Sequence, residues 1–221
     1  MTCKKASQIE CSIPPAHLWL RKEPKSKWTS RNPIKRWVIG RFLKNVLGFI
    51  PNHKNVVLDV GCGEGIFCNY MLKNRPTANI IGIDISPEAL KTAKKWNPRT
   101  EFVCASIYSI PLKSASADLT LCMEVLEHLE KPKEALKELK KVTGHLLILS
   151  VPNSLLFRFA GILSLGNLER LGEDADHVQH YSLNSLEKFL KSHFKTTGFK
   201  GSFPWLIAII DNTGWRGRNA E

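Results

Sequence analysis

The stretch Leu58-Asp59-Val60-Gly61-Cys62-Gly63-Glu64-Gly65 sets three glycines at alternating positions with two carboxylates among them. Glycine tolerates positive φ and lets a ligand approach the backbone closely. A G-x-G-x-G turn alone says little. This one follows a short apolar run, Val56–Val60, and precedes a helical pattern, as a ligand-binding turn at the carboxyl end of a buried strand does. Its carboxylates, Asp59 and Glu64, would repel a pyrophosphate and are compatible with a ligand that carries an ammonium and a sulfonium. Asp84 closes the next apolar run, Ile-Gly-Ile-Asp-Ile-Ser, where a carboxylate can accept hydrogen bonds from both hydroxyls of a ribose. The competing reading of Asp84 is a helix cap or turn residue. The charge argument also ranks a dinucleotide oxidoreductase last.

A second group of reactive side chains follows. Glu124, Glu127 and His128 stand at i, i+3 and i+4, so they share one face of a helix expected to begin at Glu124. His177 and His180, three apart, lie downstream of the apolar run 145–151. Three readings compete. His128, His177 or His180 acts as a general base or orients the substrate, beside Glu124. Alternatively, Glu124, Glu127, His128 and a later histidine hold Mg²⁺, Mn²⁺ or Zn²⁺. Or Glu127 and His128 merely brace their helix. A divalent metal is weighed here, but no metal site is assigned. Cys62 has no His/Asp partner suggested by order or spacing, and no G-x-S-x-G, Walker A or zinc-type cysteine cluster occurs.

The elements that must position these residues alternate between strand and helix. Strands are expected over 56–60, 79–85, 101–104, 117–122, 145–151, 194–199 and 205–210. Helices are expected over about 65–74, 88–96, 132–142 and 182–192, the last with Asn184 to Glu187 resembling a capping box. Upstream, Asn32-Pro33 reads as an N-cap and first helical residue, and Ile34, Val38, Phe42, Val46 and Phe49 form one helical stripe. That helix is read first as packing on its own domain and second as lying on a membrane surface. Alternation implies an α/β fold: seven strands, mainly parallel, with helices on both faces, the last strand antiparallel, and an N-terminal helical extension. Residues 1–31 read as a basic irregular arm, 32–212 as the domain and 213–221 as a tail.

The chain of 221 residues suits one domain of this class. No apolar run reaches the ~18 residues needed to cross a bilayer, and the first dozen residues lack the apolar core of a signal peptide. Six cysteines without a CxxC pair read as reduced thiols, which places the chain in the cytoplasm, with a peripheral position at a membrane surface as the variant. The net charge is +12 and unevenly spread: residues 1–50 carry eleven Lys/Arg against two Asp/Glu, the rest twenty-one against eighteen. Such a segment attracts phosphates of nucleic acid or of an anionic membrane, unless it is only a solvated flank.

At VLDVGCGEG and GIDIS the sequence resembles motif I and the following segment of class I S-adenosylmethionine (SAM)-dependent methyltransferases. The resemblance continues in order through FVCASIYSIPL, ADLTLCMEVLEHL and LLILSVPN, covering roughly residues 32–210. It implies a Rossmann-like fold, SAM as cofactor and S-adenosylhomocysteine (SAH) as product. It also implies that Asp59, Gly61 and Gly63, with Cys62 between them, face the methionine part. Asp84 would hold the ribose hydroxyls, with Ile85 against the adenine and Ser106 and Ile107 at its edge. The family often has Asp where Ser106 stands. Met123 and Glu124 would lie near the methionine moiety and the transferred methyl. E-x-x-E-H resembles a metal-serving pattern of ubiquinone-biosynthesis O-methyltransferases and of small-RNA 2′-O-methyltransferases. Asn32-Pro33, Ser150-Val151-Pro152, Leu165-Gly166-Asn167, DHVQHYS and Pro204-Trp205 are similar to a sequence-defined bacterial and archaeal subgroup, which supplies no acceptor.

The expected activity is methyl transfer to an oxygen, nitrogen or carbon of a small-molecule or lipid-like acceptor. Phe157, Phe159, Ile162 and Leu163 supply apolar flanks over the site. An RNA methyltransferase using the basic segment, with Trp19, Trp28 and Trp37 interleaved, is the second reading. A SAM-binding scaffold without turnover is the third. Oligomeric state is not legible.

Overall fold

The computed structural model describes residues 33–51, 56–153, 178–194 and 196–212. Helix α1 (Pro33–Phe49) begins at the proline, whose fixed φ suits a first helical turn. Val38, Ile39, Phe42, Leu43 and Val46 are buried along it, while Arg36, Trp37, Arg41 and Lys44 are exposed. Then follow β1 (Val56–Val60), α2 (Ile66–Asn74), β2 (Asn79–Asp84), α3 (Pro87–Trp96), β3 (Glu101–Cys104) and β4 (Ala117–Met123). A single 3-10 turn (Leu126–His128) leads to α4 (Pro132–Val142), β5 (Thr143–Pro152), α5 (Leu183–Lys191), β6 (Thr196–Ser202) and β7 (Trp205–Asp211).

The seven strands form one sheet in the order β3-β2-β1-β4-β5-β7-β6. β1 pairs in parallel with both β2 and β4, so the order switches direction there, and a crevice opens beyond the carboxyl ends of these strands. β7 alone is reversed, antiparallel to β5 and β6. Because Trp205 pairs with Pro152, the turn between β6 and β7 lies at the carboxyl end of β5, on the crevice side.

Strand side chains alternate between two buried layers, as a sheet covered on both faces requires. On one face Leu58, Val60, Leu147 and Leu149 pack with Leu136 and Leu139 of α4 and Leu186 and Leu190 of α5. On the other, Val57, Leu119, Leu121 and Ile148 meet Phe42 and Val46 of α1 and Phe67 and Met71 of α2.

Three local expectations are corrected. The capping box of α5 joins Ser182 and Ser185, not Asn184 and Glu187, because the helix starts at Leu183 and places Asn184 inside its first turn. The sixth strand starts at Thr196 rather than Phe194, whose ring is buried in the core ahead of it. No helix begins at Glu124. That residue takes φ 58, in the left-handed region, and only Leu126–His128 coil, so Glu124, Glu127 and His128 do not share a helical face. Among the described residues no helix is long and apolar enough to cross a membrane.

Candidate active site

The loop after β1 folds back over β2. The backbone N–H groups of Gly61 and Cys62 both donate to the carbonyl of Ile83, at 2.7 and 3.0 Å. Gly61 has φ +75, and a Cβ there would collide with the side chain of Val125, so only glycine fits. Gly63 has φ +52 but nothing within 4 Å of where its Cβ would stand. The loop therefore faces open space at its middle glycine.

Asp84, at the end of β2, ties the loop to that strand. One carboxylate oxygen accepts from Gly63 N at 2.8 Å, the other from Ser86 N at 2.9 Å. Burial raises its pKa, opposed by backbone donors of Ser86, Gly63 and Ile85. The cap of α3 is Ser86, whose hydroxyl accepts from Ala89 N, so Asp84 serves the turn but does not cap the helix. Ile85 is exposed beside it. Across from Ile85, the Ser106 hydroxyl accepts from Tyr108 N at 3.2 Å, and Ile107 packs against the core.

Asp59 is buried beneath the loop on the α2 side, where Cys68 Sγ lies 3.3 Å from its carboxylate as donor. Burial lifts its pKa from 3.8 to about 7, with the Cys68 hydrogen bond opposing and the charge of Asp84 adding. Burial and both aspartates push the Cys62 thiol up, which removes thiolate character from the loop.

Met123 ends β4, half-buried, and pairs with Ser150 of β5. Glu124 follows, buried, and its carboxylate accepts from Trp205 Nε1 at 2.7 Å and from Ser150 Oγ at 3.4 Å. The 3-10 turn puts Glu127 inward; its carboxylate raises the pKa of Cys122 and Tyr181 as a secondary cause behind burial. Half-exposed His128 lies with Nε2 3.9 Å from Glu127. The chain returns to this place at residue 178. Val178 and Gln179 both donate backbone N–H bonds to the carbonyl of Glu127 at 2.9 Å, and Asn153 bridges to Tyr181. The backbone around exposed His180 is thus joined to the His128 turn. His177, Phe157, Phe159, Ile162 and Leu163 lie outside the described residues. Among the described residues no three His, Cys, Asp or Glu side chains converge as a metal-ligand set.

Two supports escaped the sequence reading. Trp205 carried no role there, yet its indole N–H holds Glu124. Asn97 is buried after α3; its amide donates to the carbonyls of Gly65 and Ala93 at 3.0 and 3.1 Å and accepts from Asn69 at 3.1 Å. It staples α3 to the loop's third glycine. No local signal marks either residue, because their partners are 81 and 32 positions away.

Comparison with known proteins agrees with this geometry. Residues 58–147 match the methyltransferase domain family. The mitochondrial ubiquinone biosynthesis O-methyltransferase of Schizosaccharomyces pombe is 30% identical over 164 residues, covering 70% of this chain and 56% of that protein. The chain spans about half the length of the curated relatives it matches. Magnesium protoporphyrin IX methyltransferase from Synechocystis PCC 6803, solved with bound SAH, superposes with TM-score 0.60 at 19% identity, covering 82% of this chain and 88% of that one. The plantazolicin methyltransferase, also in complex with SAH, gives 0.62 at 21% identity over 84% and 93% of the two chains. These two likenesses speak for the fold; the matched segment and the curated relative speak for the family. Strand order, glycine loop and matched residues make this chain a member of the class I SAM-dependent methyltransferases.

Proposed function

We propose that the chain transfers a methyl group from SAM to an oxygen, nitrogen or carbon of a small-molecule or lipid-like acceptor. The observation that carries this reading is the Asp84 carboxylate fixed at the open side of the glycine loop. The site fits the cofactor in three respects: room at Gly63, a strand-end carboxylate for a ribose diol, and exposed Ile85 for an adenine face. The acidic loop suits a sulfonium and an ammonium better than a pyrophosphate. SAM, when bound, supplies a methyl already activated for in-line displacement, so the protein's task is alignment.

In this reading Asp84 accepts from the ribose hydroxyls, Asp59 lies toward the ammonium end, and Gly61, Cys62 and Gly63 give the backbone wall of the methionine part. Ser106 and Ile107 border the adenine, and Met123 borders the methionine chain. Glu124, oriented by Trp205 and Ser150, stands at the acceptor end. His128 and His180, with His177 kept from the sequence as a third candidate, serve as base or orienter where the acceptor carries a proton. Exposed Val178, Leu183 and Phe203 support an apolar acceptor. The relatives' names point the same way, to ubiquinone biosynthesis and to magnesium protoporphyrin IX.

The test is incubation with methyl-labelled SAM and three cell fractions: organic-extractable, aqueous small-molecule and RNA. Label is expected in one of the first two. Label only in RNA would replace this reading with the RNA enzyme, and SAH binding without any labelling would favour the scaffold.

A further inference from the structure

Helix α1 has two faces of opposite character. Its apolar stripe is buried against α2 and the β6–β7 sheet edge, so the helix is held in place. Its outer face presents Trp37, Arg41 and Lys44 at i, i+4 and i+7, with Arg36 beside them, all exposed. Trp37 is 63% exposed, and the Arg41 guanidinium lies 5.7 Å from the centre of its ring. The helix contains no Asp or Glu at all.

The direction of α1 matters. The carbonyls of Leu47, in its last turn, and of Pro51, just beyond it, accept from Arg75 at the far end of α2, away from the crevice. Further back, Asn45 donates to Ser202, and the Phe42 ring lies 4.6 Å from that of Trp205, both at the crevice-side turn. Rising about 1.5 Å per residue, the helix carries Arg41 and Trp37 past that turn on the crevice side. Phe203, 56% exposed, sits on the same turn. An apolar ring, an indole and three cations thus share the end of the molecule that holds the site.

We propose that this face of α1, with Phe203, is a docking surface for an anionic phospholipid bilayer. The chemistry matches in two parts. Lys and Arg near a negatively charged leaflet each gain affinity, by about fivefold in partitioning. An indole is favoured at the headgroup level, where its ring is in the apolar zone and its N–H is wet. A single-stranded nucleic acid is the poorer occupant: it is held by successive rings along a basic groove, whereas this face is the outer side of one helix and, among the described residues, offers one tryptophan. The inference stands apart from the proposed reaction, since the bilayer is itself the probe.

The experiment is co-sedimentation of the full chain with vesicles of phosphatidylcholine alone and of equal parts phosphatidylcholine and phosphatidylglycerol, at low salt. Wild type, Trp37→Ala and the double variant Arg41→Ser/Lys44→Ser are compared. The expected result is binding to the anionic vesicles only, weakened several-fold by Trp37→Ala and roughly 20-fold by the double variant. These side chains are exposed, so unchanged melting and SAH binding will show that the variants fold. The proposal is overturned if wild type ignores anionic vesicles, if it binds neutral ones equally, or if the variants bind as wild type does. It is also overturned if the variants lose binding to a polyuridine RNA that wild type holds in preference to vesicles.

Discussion

Gly61 and Gly63 differ by what surrounds them, and substitution should separate their roles. At Gly61 an added Cβ meets Val125 at a left-handed φ, so Gly61→Ala is expected to cost about 2 kcal/mol or more and roughly 5 °C in Tm. At Gly63 the Cβ meets nothing, so Gly63→Ala should cost about 1 kcal/mol for the backbone alone yet weaken SAH more than it lowers Tm. Thermal melts with and without SAH check both. Asp59 gives a pH signature. Its folded pKa, about 7, lies above its ordinary 3.8, so the folded state binds the extra proton between those values. The associated stability is full below about pH 3.8 and is lost as pH rises to about 7. Asp59→Asn should flatten that part of the stability profile. In the proposed pose an ammonium favours ionised Asp59, so SAH binding at pH 6.5 should release protons. Calorimetry in buffers of different ionisation enthalpy would show this in wild type and not in Asp59→Asn; a buffer-independent enthalpy in wild type would contradict the pose. Asp84 was legible as the carboxylate that closes β2 beside the glycine turn, because an apolar run and a glycine turn are local patterns; its tie to Gly63 N and Ser86 N emerges only in the fold. Asn97 and Trp205 were not, since ordinary polar and aromatic residues gain meaning only from distant partners.

At the scale of elements, period and punctuation carried most of the reading. The stripe of α1, the apolar runs of β1, β2 and β5, and Pro87 and Pro132 at helix starts are local properties of the chain. Glu124–His128 misled because i, i+3, i+4 spacing fits a helix, whereas the left-handed residue after β4 depends on the Trp205 and Ser150 contacts across the sheet. The same contacts make α1 part of the site's support, through Phe42 and Trp205. Phe42→Ala should therefore lower stability by about 3–5 kcal/mol, read as a fall of roughly 10 °C in Tm. A loss below about 1 kcal/mol would mean that α1 packs more loosely than these contacts require.

For the whole molecule, alternating strands and helices imply a parallel sheet, but its order is a tertiary outcome. The last two strands were legible as an antiparallel pair; that β7 inserts between β5 and β6 follows from its register on β5 and could not be read locally. The consequence is functional, because this insertion brings Trp205 to the crevice. Binding of the adenosyl cofactor in the crevice through Asp84 is the proposal on which the methyl transfer depends. Its most direct test is calorimetric titration of SAH into wild type and Asp84→Ala, with NAD as control ligand. The prediction is saturable SAH binding by wild type, weakened about 100-fold or more in Asp84→Ala, and no binding of NAD. Equal SAH affinity in both proteins, NAD binding as tight as SAH, or no SAH binding by folded wild type would contradict it.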